Sequence, residues 1–349
     1  LAPLLTLDYA VAALWFICLV TLRWGMKKKP LLLVSAITLG LTLLTKLHGV
    51  FLYIPVFLYI LHRYVNNAVH THQTRWSYIL LLLVFLLVPL LVYVAGWPWL
   101  WTDPLEKFLE YIAVQRRYTG VPVYILGQIY PLAPWFYAPL TYLVSTPTYI
   151  VALFLYGSVR MWKTSSEIAR WAWFNAIFGI VLFMVTGVPK YDVVRLFLFL
   201  YPFKYLVAIY GISHIITSVQ HTYRVKIIKM LVLSVIAVCT MYISVIHNHP
   251  FESSYYNELV GGLNGATKMG FETEYWGNAY FKILPWMNAN KQHMMCVYPV
   301  TSPFYYYQAM GYIEPGVVFE AGKGACKYLV VLMRRGFFNR APDVKKVVE

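Results

Sequence analysis

The sequence predicts a mainly α-helical, polytopic membrane bundle followed by a small extracytoplasmic α/β domain. The 349 residues are 60% hydrophobic and only 12% charged, whereas soluble domains carry about 25% charged residues. Several apolar runs are long enough to cross a hydrocarbon core of about 30 Å. After Pro250 the composition changes to that of a soluble domain. We therefore predict a bundle of about eight helices at 1–249 and a separate α/β domain at 250–349.

The sequence pattern also predicts the elements of the second domain. Helices are expected at 255–268 and 275–290, and short strands at 294–300, 317–320 and 328–333.

Basic residues between the apolar runs determine the predicted topology. Loops rich in Lys and Arg lie on the cytoplasmic side of a membrane, and every second loop of this chain is basic. This pattern predicts eight crossings of the plasma or inner membrane, with the C-terminal domain outside the cytoplasm. The crossings are expected at about 7–22, twice within 31–60, and at 78–96, 139–159, 173–186, 196–216 and 231–245.

The net charge of +15 is interpreted in the same way. It reflects basic cytoplasmic loops and attraction to anionic lipid head groups. The sequence has no compact Lys/Arg tract with interleaved aromatic residues, so a nucleic-acid partner is not expected.

The longest predicted external loop covers residues 97–137. Clustered tryptophans at its start and aromatic residues at its end are typical of the membrane–water boundary. Asp103-Pro104 indicates the start of a helix, and the apolar spacing that follows predicts an amphipathic helix lying along the interface. A simple connector over the bundle is the alternative, but long ordered loops are usually functional.

Charged residues at membrane depth are the candidates for function, because they are costly in an apolar environment. Asp8 lies at the outer end of the first helix and is either an interfacial acid or part of a cavity. Lys46 and His48 lie at the tip of a predicted helical hairpin. They are either solvated turn residues or partners of an anionic phosphate.

Two further groups of charges are expected at the same outer face. Lys190, Asp192 and Arg195 lie close together in a turn, where a local ion pair between the last two is the alternative interpretation. Arg116 and Arg117 in the external loop could clamp a phosphate by bidentate contacts. The shared feature is an excess of cations at one membrane face, which is what a lipid-linked phosphate would require.

The cysteine and acidic residues of the C-terminal domain predict little chemistry. Cys296 and Cys326 could pair if the domain is extracytoplasmic. Glu272 and Glu274 are expected to be solvated loop carboxylates. The spacing of the histidines does not match a metal site, so no metal ligand set is predicted.

Five stretches of this sequence resemble a known family. They are LGLTLLTKLHGVFLYIPVFL, GWPWLWTDPLEKFLEYI with VPVYILGQIYPLAPWFYAPL, KYDVVRLFLFLYPF, and SYYNELVGGLNGATKMGFETEYWG. The first resembles the Thr-Lys helical hairpin of the GT-C membrane glycosyltransferases, and the others are similar to an uncharacterised prokaryotic branch of that family. The nearest characterised groups are the family 39 protein O-mannosyltransferases and the lipid A aminoarabinose transferase.

This resemblance implies a function and assigns roles to three residues. Such enzymes move a sugar from a polyprenyl-phosphate donor to a hydroxyl of a protein or glycolipid acceptor at the outer face, as in protein glycosylation. They need no tightly bound cofactor. Lys46 matches the hairpin lysine and Arg195 the arginine at an outer helix end, both as phosphate partners. Asp8 matches a second acidic position, so the main catalytic carboxylate is expected upstream of Leu1 in a chain that we expect to be truncated.

Two other classes of membrane protein remain as alternatives. A lipid-phosphate transporter or flippase would need the same outer cations, although it usually has paired halves with broken helices. A non-catalytic membrane subunit would use the C-terminal domain as its binding module.

Overall fold

A computed structural model describes residues 7–66, 72–117, 120–164, 166–217, 252–274, 279–299, 301–322 and 326–332, with isolated positions between 227 and 334. It confirms a mainly helical chain with a small C-terminal α/β region that contains a parallel sheet. The helices are α1 Leu7–Gly25, α2 Pro30–Thr45, α3 Tyr53–Val65, α4 His72–Gly96, α5 Pro104–Arg117, α6 Tyr137–Val144, α7 Thr148–Met161, α8 Glu167–Met184, α9 Tyr201–Thr217, α10 Gly262–Lys268, α11 Tyr280–Ala289 and α12 Ser302–Ala309. The strands are β1 Val123–Ile125, β2 Gln128–Tyr130, β3 Met295–Tyr298, β4 Phe319–Ala321 and β5 Tyr328–Val331.

Several long apolar helices indicate a multi-pass membrane protein. Within the described residues, five helical segments are long and apolar enough to cross a membrane, or six if the bent pair α6–α7 is one span. The shorter apolar helix α2 lies at another predicted crossing. The crossing predicted at 231–245 lies largely outside the described residues. The five segments are Leu7–Gly25, Leu47–Val65, Arg75–Gly96, Glu167–Met184 and Arg195–Thr217.

The chain forms two compact units, neither of which is continuous in sequence. Unit 1 comprises Leu1–Thr119, Ser165–Ile180 and Arg195–Leu206. Unit 2 comprises Gly120–Thr164, Val181–Val194 and Val207–Glu349. Part of the predicted bundle therefore belongs to the same compact unit as the C-terminal α/β region.

In unit 1, small side chains allow the first helices to approach closely. The Ser35 hydroxyl on α2 donates a hydrogen bond of 2.7 Å to the Cys18 carbonyl on α1. A Cβ atom at Gly40 would lie only 2.9 Å from the Pro89 carbonyl oxygen, so α2 and α4 can pack as they do only with glycine there. Close packing through small residues is typical of membrane helices, where burial of apolar surface alone drives little association.

The start of the loop predicted at 97–137 belongs to unit 1 and has features suited to the membrane interface. Helix α5 begins at Pro104, as predicted, directly after the exposed Asp103. Its apolar residues are largely exposed, with Leu105 at 73% and Leu109 at 57%. A helix that offers an apolar face outside the protein core is suited to lie in the membrane interface.

The rest of the loop forms a β-hairpin in unit 2 that the sequence did not predict. Strands β1 and β2 are antiparallel and joined by Leu126 and Gly127, both with positive φ, as in a type I′ turn. The Gly127 amide donates to the Gly270 carbonyl at 3.0 Å. A Cβ atom at Gly270 would lie 2.1 Å from the Gly127 nitrogen, so this close approach requires glycine.

Helices α6 and α7 form a broken apolar pair with a bend of 117°. Carbonyl groups at a helix end lack partners within the helix. At this break the fully buried Asn257 supplies the missing partners. Its side-chain amide donates to the carbonyls of Leu143 at 2.8 Å and Thr146 at 2.7 Å. The Asn257 backbone amide also donates to Val144. One residue from the C-terminal region thus stabilises the break.

The C-terminal α/β region contains a parallel sheet with strand order β4-β3-β5, close to the three predicted strands. A disulfide joins Cys296 on β3 to Cys326 just before β5. The helix predicted at 255–268 is shorter in the structure, where only α10, Gly262–Lys268, is α-helical. Gly261 adopts a left-handed conformation with φ 76° and ends the preceding 3-10 turn, because glycine has no Cβ to oppose it.

Candidate functional site

A buried ion cluster in unit 1 brings together three of the predicted residues. Asp8 is 3% exposed, although it lies in the first turn of α1. Its Oδ1 atom accepts a hydrogen bond from the Lys46 ammonium group, and its Oδ2 atom accepts one from Arg195 Nε at 2.8 Å. The two cationic side chains are 25% and 26% exposed, whereas that of Asp8 is 2% exposed. We call this group the Asp8 cluster.

Lys46 reaches Asp8 because the helical hairpin breaks at that residue. Helix α2 ends at Thr45, and Lys46 is extended with φ −161° and ψ 137°. A 3-10 segment, Leu47–Leu52, then leads directly into α3. A Cβ atom at Gly49 would lie 2.7 Å from the Thr42 carbonyl oxygen, so glycine permits the tight return. The predicted hairpin tip is therefore a compact, glycine-dependent turn that presents its lysine.

Arg195 is held by aromatic packing that follows it in sequence. It begins the 3-10 segment Arg195–Leu200, which is interrupted by the non-helical Phe197. Phe199 in this segment stacks on Trp15 of α1 with ring centroids 4.1 Å apart. Stacked rings that are fully buried limit the movement of the backbone that carries them. The guanidinium group is thus anchored to the same helix as Asp8.

The charge balance of the Asp8 cluster suits an anionic ligand. One carboxylate and two cations give a formal charge of +1, and His48 is half-buried and interacts electrostatically with both Lys46 and Asp8. Asp8 is enclosed, while both cations remain partly accessible. A phosphate group could therefore contact the cations from their exposed side while Asp8 keeps them oriented.

Lys190 and Asp192 belong to unit 2 and have other partners. Lys190 is 3% exposed, and its ammonium group donates to the carbonyls of Val185 at 2.9 Å and Val188 at 3.3 Å. Burial holds the pKa of Lys190 below its ordinary value. Asp192 accepts a hydrogen bond of 2.7 Å from Arg334. Both side chains are thus engaged in holding the loop together.

The loop at Asp192 has an unusual backbone. Asp192 and Val193 both have φ 55°, which is strained for a β-branched residue such as valine. The Val193 amide donates to the Tyr137 hydroxyl at 2.9 Å, and the Arg334 ion pair fixes the neighbouring Asp192. These contacts stabilise a conformation that the local sequence disfavours.

The remaining predicted residues are Asp103, Arg116 and Arg117. Asp103 is exposed at the start of α5. Arg116 and Arg117 lie in the last turn of α5, but their side chains are outside the described residues.

The sequence missed several buried or paired charges. Glu272 and Glu274 are 5% and 7% exposed, so the prediction that they are solvated was wrong. Glu274 accepts hydrogen bonds from the backbone amides of Gly277 at 2.9 Å and Ala279 at 3.1 Å, just before α11. The position of an acid shortly before a helix start was the available signal, because the backbone amides there lack partners within the helix.

A second ion cluster in unit 1 was also missed. Glu167 at the start of α8 contacts Arg23 on α1 at 3.0 Å and Arg63 on α3 at 3.5 Å. The Tyr59 hydroxyl bridges it, donating to Glu167 at 3.4 Å and accepting from Arg23 at 3.3 Å. The charged side chains of Arg23, Glu167 and Arg63 are 24–41% exposed, whereas Tyr59 is 1% exposed. We call this group the Glu167 cluster.

Among the described residues, one group of three side chains has metal-ligand spacing, namely Cys296, Glu320 and Cys326. Because the two cysteines are joined in a disulfide, their sulfur atoms are not available as thiolate ligands. This group therefore gives no support for a metal centre.

Comparisons of the chain with known protein families, with curated proteins and with solved structures find no significant match. A function for the chain is therefore inferred from the geometry above and from the sequence resemblance to the GT-C glycosyltransferases.

Proposed function

We propose that the chain is a membrane glycosyltransferase that moves a sugar from a polyprenyl-phosphate donor to an acceptor hydroxyl at the outer membrane face. The observation that carries this proposal is the Asp8 cluster, in which a buried carboxylate orients two partly exposed cations at the ends of apolar helices. The donor presents a phosphate at the membrane surface and an apolar tail within it. Cations at the ends of apolar helices match this arrangement of ligand chemistry.

In the proposed reaction the acceptor oxygen attacks the anomeric carbon of the donor sugar. The bond between that carbon and the phosphate oxygen breaks, and its electron pair leaves with the polyprenyl phosphate. Lys46 and Arg195 stabilise the negative charge that develops on the leaving group. The proton of the acceptor hydroxyl passes to a carboxylate base.

Within this scheme Asp8 acts as a positioning residue. Its two oxygen atoms already accept hydrogen bonds from Lys46 and Arg195, and taking up a proton would weaken both ion pairs. Its burial also keeps it away from an acceptor that enters from the exposed side. We therefore assign it the orientation of the cations, and the base remains a different carboxylate.

The proposal is tested by measuring the affinity of the full chain for polyprenyl phosphate in lipid nanodiscs. This probe carries the recognised phosphate without requiring knowledge of the sugar. Lys46→Met and Arg195→Gln should each weaken binding by about 1–3 kcal/mol, the range for a lost charge-assisted hydrogen bond. Arg63→Gln, in the Glu167 cluster, is the matched control and should leave the affinity unchanged. Unchanged affinity in both test variants would overturn the phosphate role.

The outer-face location rests on the basic loops and on the disulfide between Cys296 and Cys326, since disulfides persist outside the cytosol. We expect an impermeant maleimide to label Lys291→Cys in intact cells and to leave Lys163→Cys unlabelled until the cells are opened. Both positions are exposed. The reverse pattern would place the C-terminal domain in the cytoplasm and contradict the proposal.

A transporter remains the second candidate, and the break between α6 and α7 is the observation that favours it. However, the carbonyl groups of Leu143 and Thr146 at this break are occupied by Asn257, which reduces their capacity to bind a substrate ion. Reconstitution with radiolabelled polyprenyl-phosphate sugars separates the two functions. A glycosyltransferase moves the label to a new acceptor, whereas a transporter moves the intact lipid across the bilayer.

A further inference from the structure

The C-terminal α/β region carries a groove that the proposed transfer reaction does not use. It has a volume of about 500 Å³, within the range of about 300–1,000 Å³ typical of small-ligand sites. One wall is the helix α11, and the other is the turn that follows α12. The residues that line it are Phe281, Leu284, Pro285, Asn288, Ala289, Tyr312 and Glu314.

Two exposed aromatic rings line this groove, one from each wall. Phe281 is 47% exposed and Tyr312 is 51% exposed. Their ring centroids are 5.5 Å apart in an edge-on arrangement. The aromatic surface extends beyond the groove through Tyr307 to the exposed Tyr306. Large aromatic side chains left open to solvent at a concave site are a common feature of binding surfaces.

Polar groups also line the groove at Asn288 and Glu314, and we call them, together with the neighbouring Lys291, the rim. The Asn288 side chain accepts a hydrogen bond of 3.0 Å from the Glu314 amide and donates one of 3.1 Å to the Tyr312 carbonyl. The Glu314 carboxylate is about half exposed and pairs with Lys291 at 3.1 Å. The amide contacts hold the turn in place, and the rim offers both hydrogen-bond donors and acceptors beside the rings.

We infer that this groove binds a neutral saccharide. A pyranose ring has an apolar face of C–H groups that can stack on Tyr312, while Phe281, nearly perpendicular to it, contacts the edge of the sugar. Its equatorial hydroxyls can bond to Glu314 and to the neighbouring Lys291. The cation of the rim is balanced by the carboxylate beside it, so the groove does not select a charged ligand. An ion pair at the rim also disfavours insertion of this surface into lipid. The inference does not depend on the transfer reaction.

The test uses the full chain in lipid nanodiscs without any lipid-linked donor. Mannotriose, cellotriose and chitotriose are added in turn, and binding is measured by saturation-transfer NMR and by titration. Detergents with sugar head groups are avoided, because they would occupy the site. We expect millimolar binding of at least one trisaccharide. Tyr312→Ala should weaken it about tenfold and Glu314→Gln about threefold, since stacking and charge-assisted hydrogen bonds are lost.

Tyr305→Ala is the matched control. Tyr305 is 55% exposed and contacts Phe319, but it does not line the groove. Saccharide binding should therefore be unchanged in this variant. Because Glu314→Gln keeps the size of the side chain, it tests the groove even if Tyr312→Ala fails to fold.

Three results would overturn the inference. The first is that none of the three trisaccharides binds, and the second is that those that bind do so equally well in Tyr312→Ala and Glu314→Gln. The third is that the aromatic surface lies against the bilayer, which would be detected by a fluorophore on Tyr312→Cys that brominated lipids quench. Lys46→Met and Arg195→Gln should leave saccharide binding in the groove unchanged, whatever their effect on donor binding. Failure of one proposal can therefore be distinguished from failure of the other.

Discussion

The two ion clusters of unit 1 have the same pattern of charges but different surroundings. Each places one carboxylate between two cations, and each draws on α1. Asp8 and Arg23 are fifteen positions apart on that helix, which corresponds to about 22 Å along its axis. The carboxylate of Asp8 is 2% exposed, whereas that of Glu167 is 31% exposed.

This difference in burial separates a candidate site from a surface contact. An exposed carboxylate is solvated by water, so its ion pairs contribute little free energy of folding. A buried carboxylate has lost that water and depends on the cations that replace it. The cations around Asp8 are therefore held in a defined geometry, as recognition of an anionic ligand requires. Those around Glu167 contact a carboxylate that water also solvates.

The largest expected difference between the clusters is in stability. Asp8→Asn should lower the free energy of unfolding by about 2–4 kcal/mol, somewhat below the cost of breaking a fully buried ion pair because the two cations remain partly solvated. Glu167→Gln should lower it by about 0–1 kcal/mol. Reversible unfolding in mixed micelles measures both variants under the same conditions. Equal effects would show that burial does not distinguish the clusters.

A smaller effect is expected on raising the salt concentration. From 0.1 M to 1 M salt the Debye length falls from about 10 Å to about 3 Å, which screens exposed charges more than enclosed ones. A double-mutant cycle of Glu167→Gln with Arg23→Gln should therefore give a coupling energy that falls by about half or more. The matching cycle of Asp8→Asn with Arg195→Gln should change little. If both coupling energies fall in parallel, the Asp8 cluster is as solvent-accessible as the other.

The membrane part of the fold was largely predictable from local sequence. Apolar runs, basic loops and the Asp103-Pro104 helix start all depend on neighbouring residues, and the corresponding helices lie close to the predicted ranges. The predicted strands of the C-terminal region also lie near β3, β4 and β5. The β1–β2 hairpin and α12 were not predicted, because short elements carry too few residues for their periodicity to be recognised.

The candidate site was predictable only in part. The tip position of Lys46 followed from a break in one apolar run, and the charge of Asp8 stood out within another. Asp192 and Arg195 are three residues apart, which favours a local pair. In the structure Arg195 bonds to Asp8, 187 positions away, and Asp192 bonds to Arg334, 142 positions away. Sequence proximity is a poor guide where a charge is buried, because packing decides which countercharge reaches it.

By itself, the sequence determined that this is a helical, multi-pass membrane protein with a small α/β region, because the hydrophobicity and length of each segment set its preferred environment. It also limited the chemistry to a few charged residues near helix ends. Only the tertiary structure decided which of these charges meet, which carboxylate is enclosed and where a groove forms. Those features depend on the three-dimensional approach of distant segments, and burial then gives each contact its energetic weight.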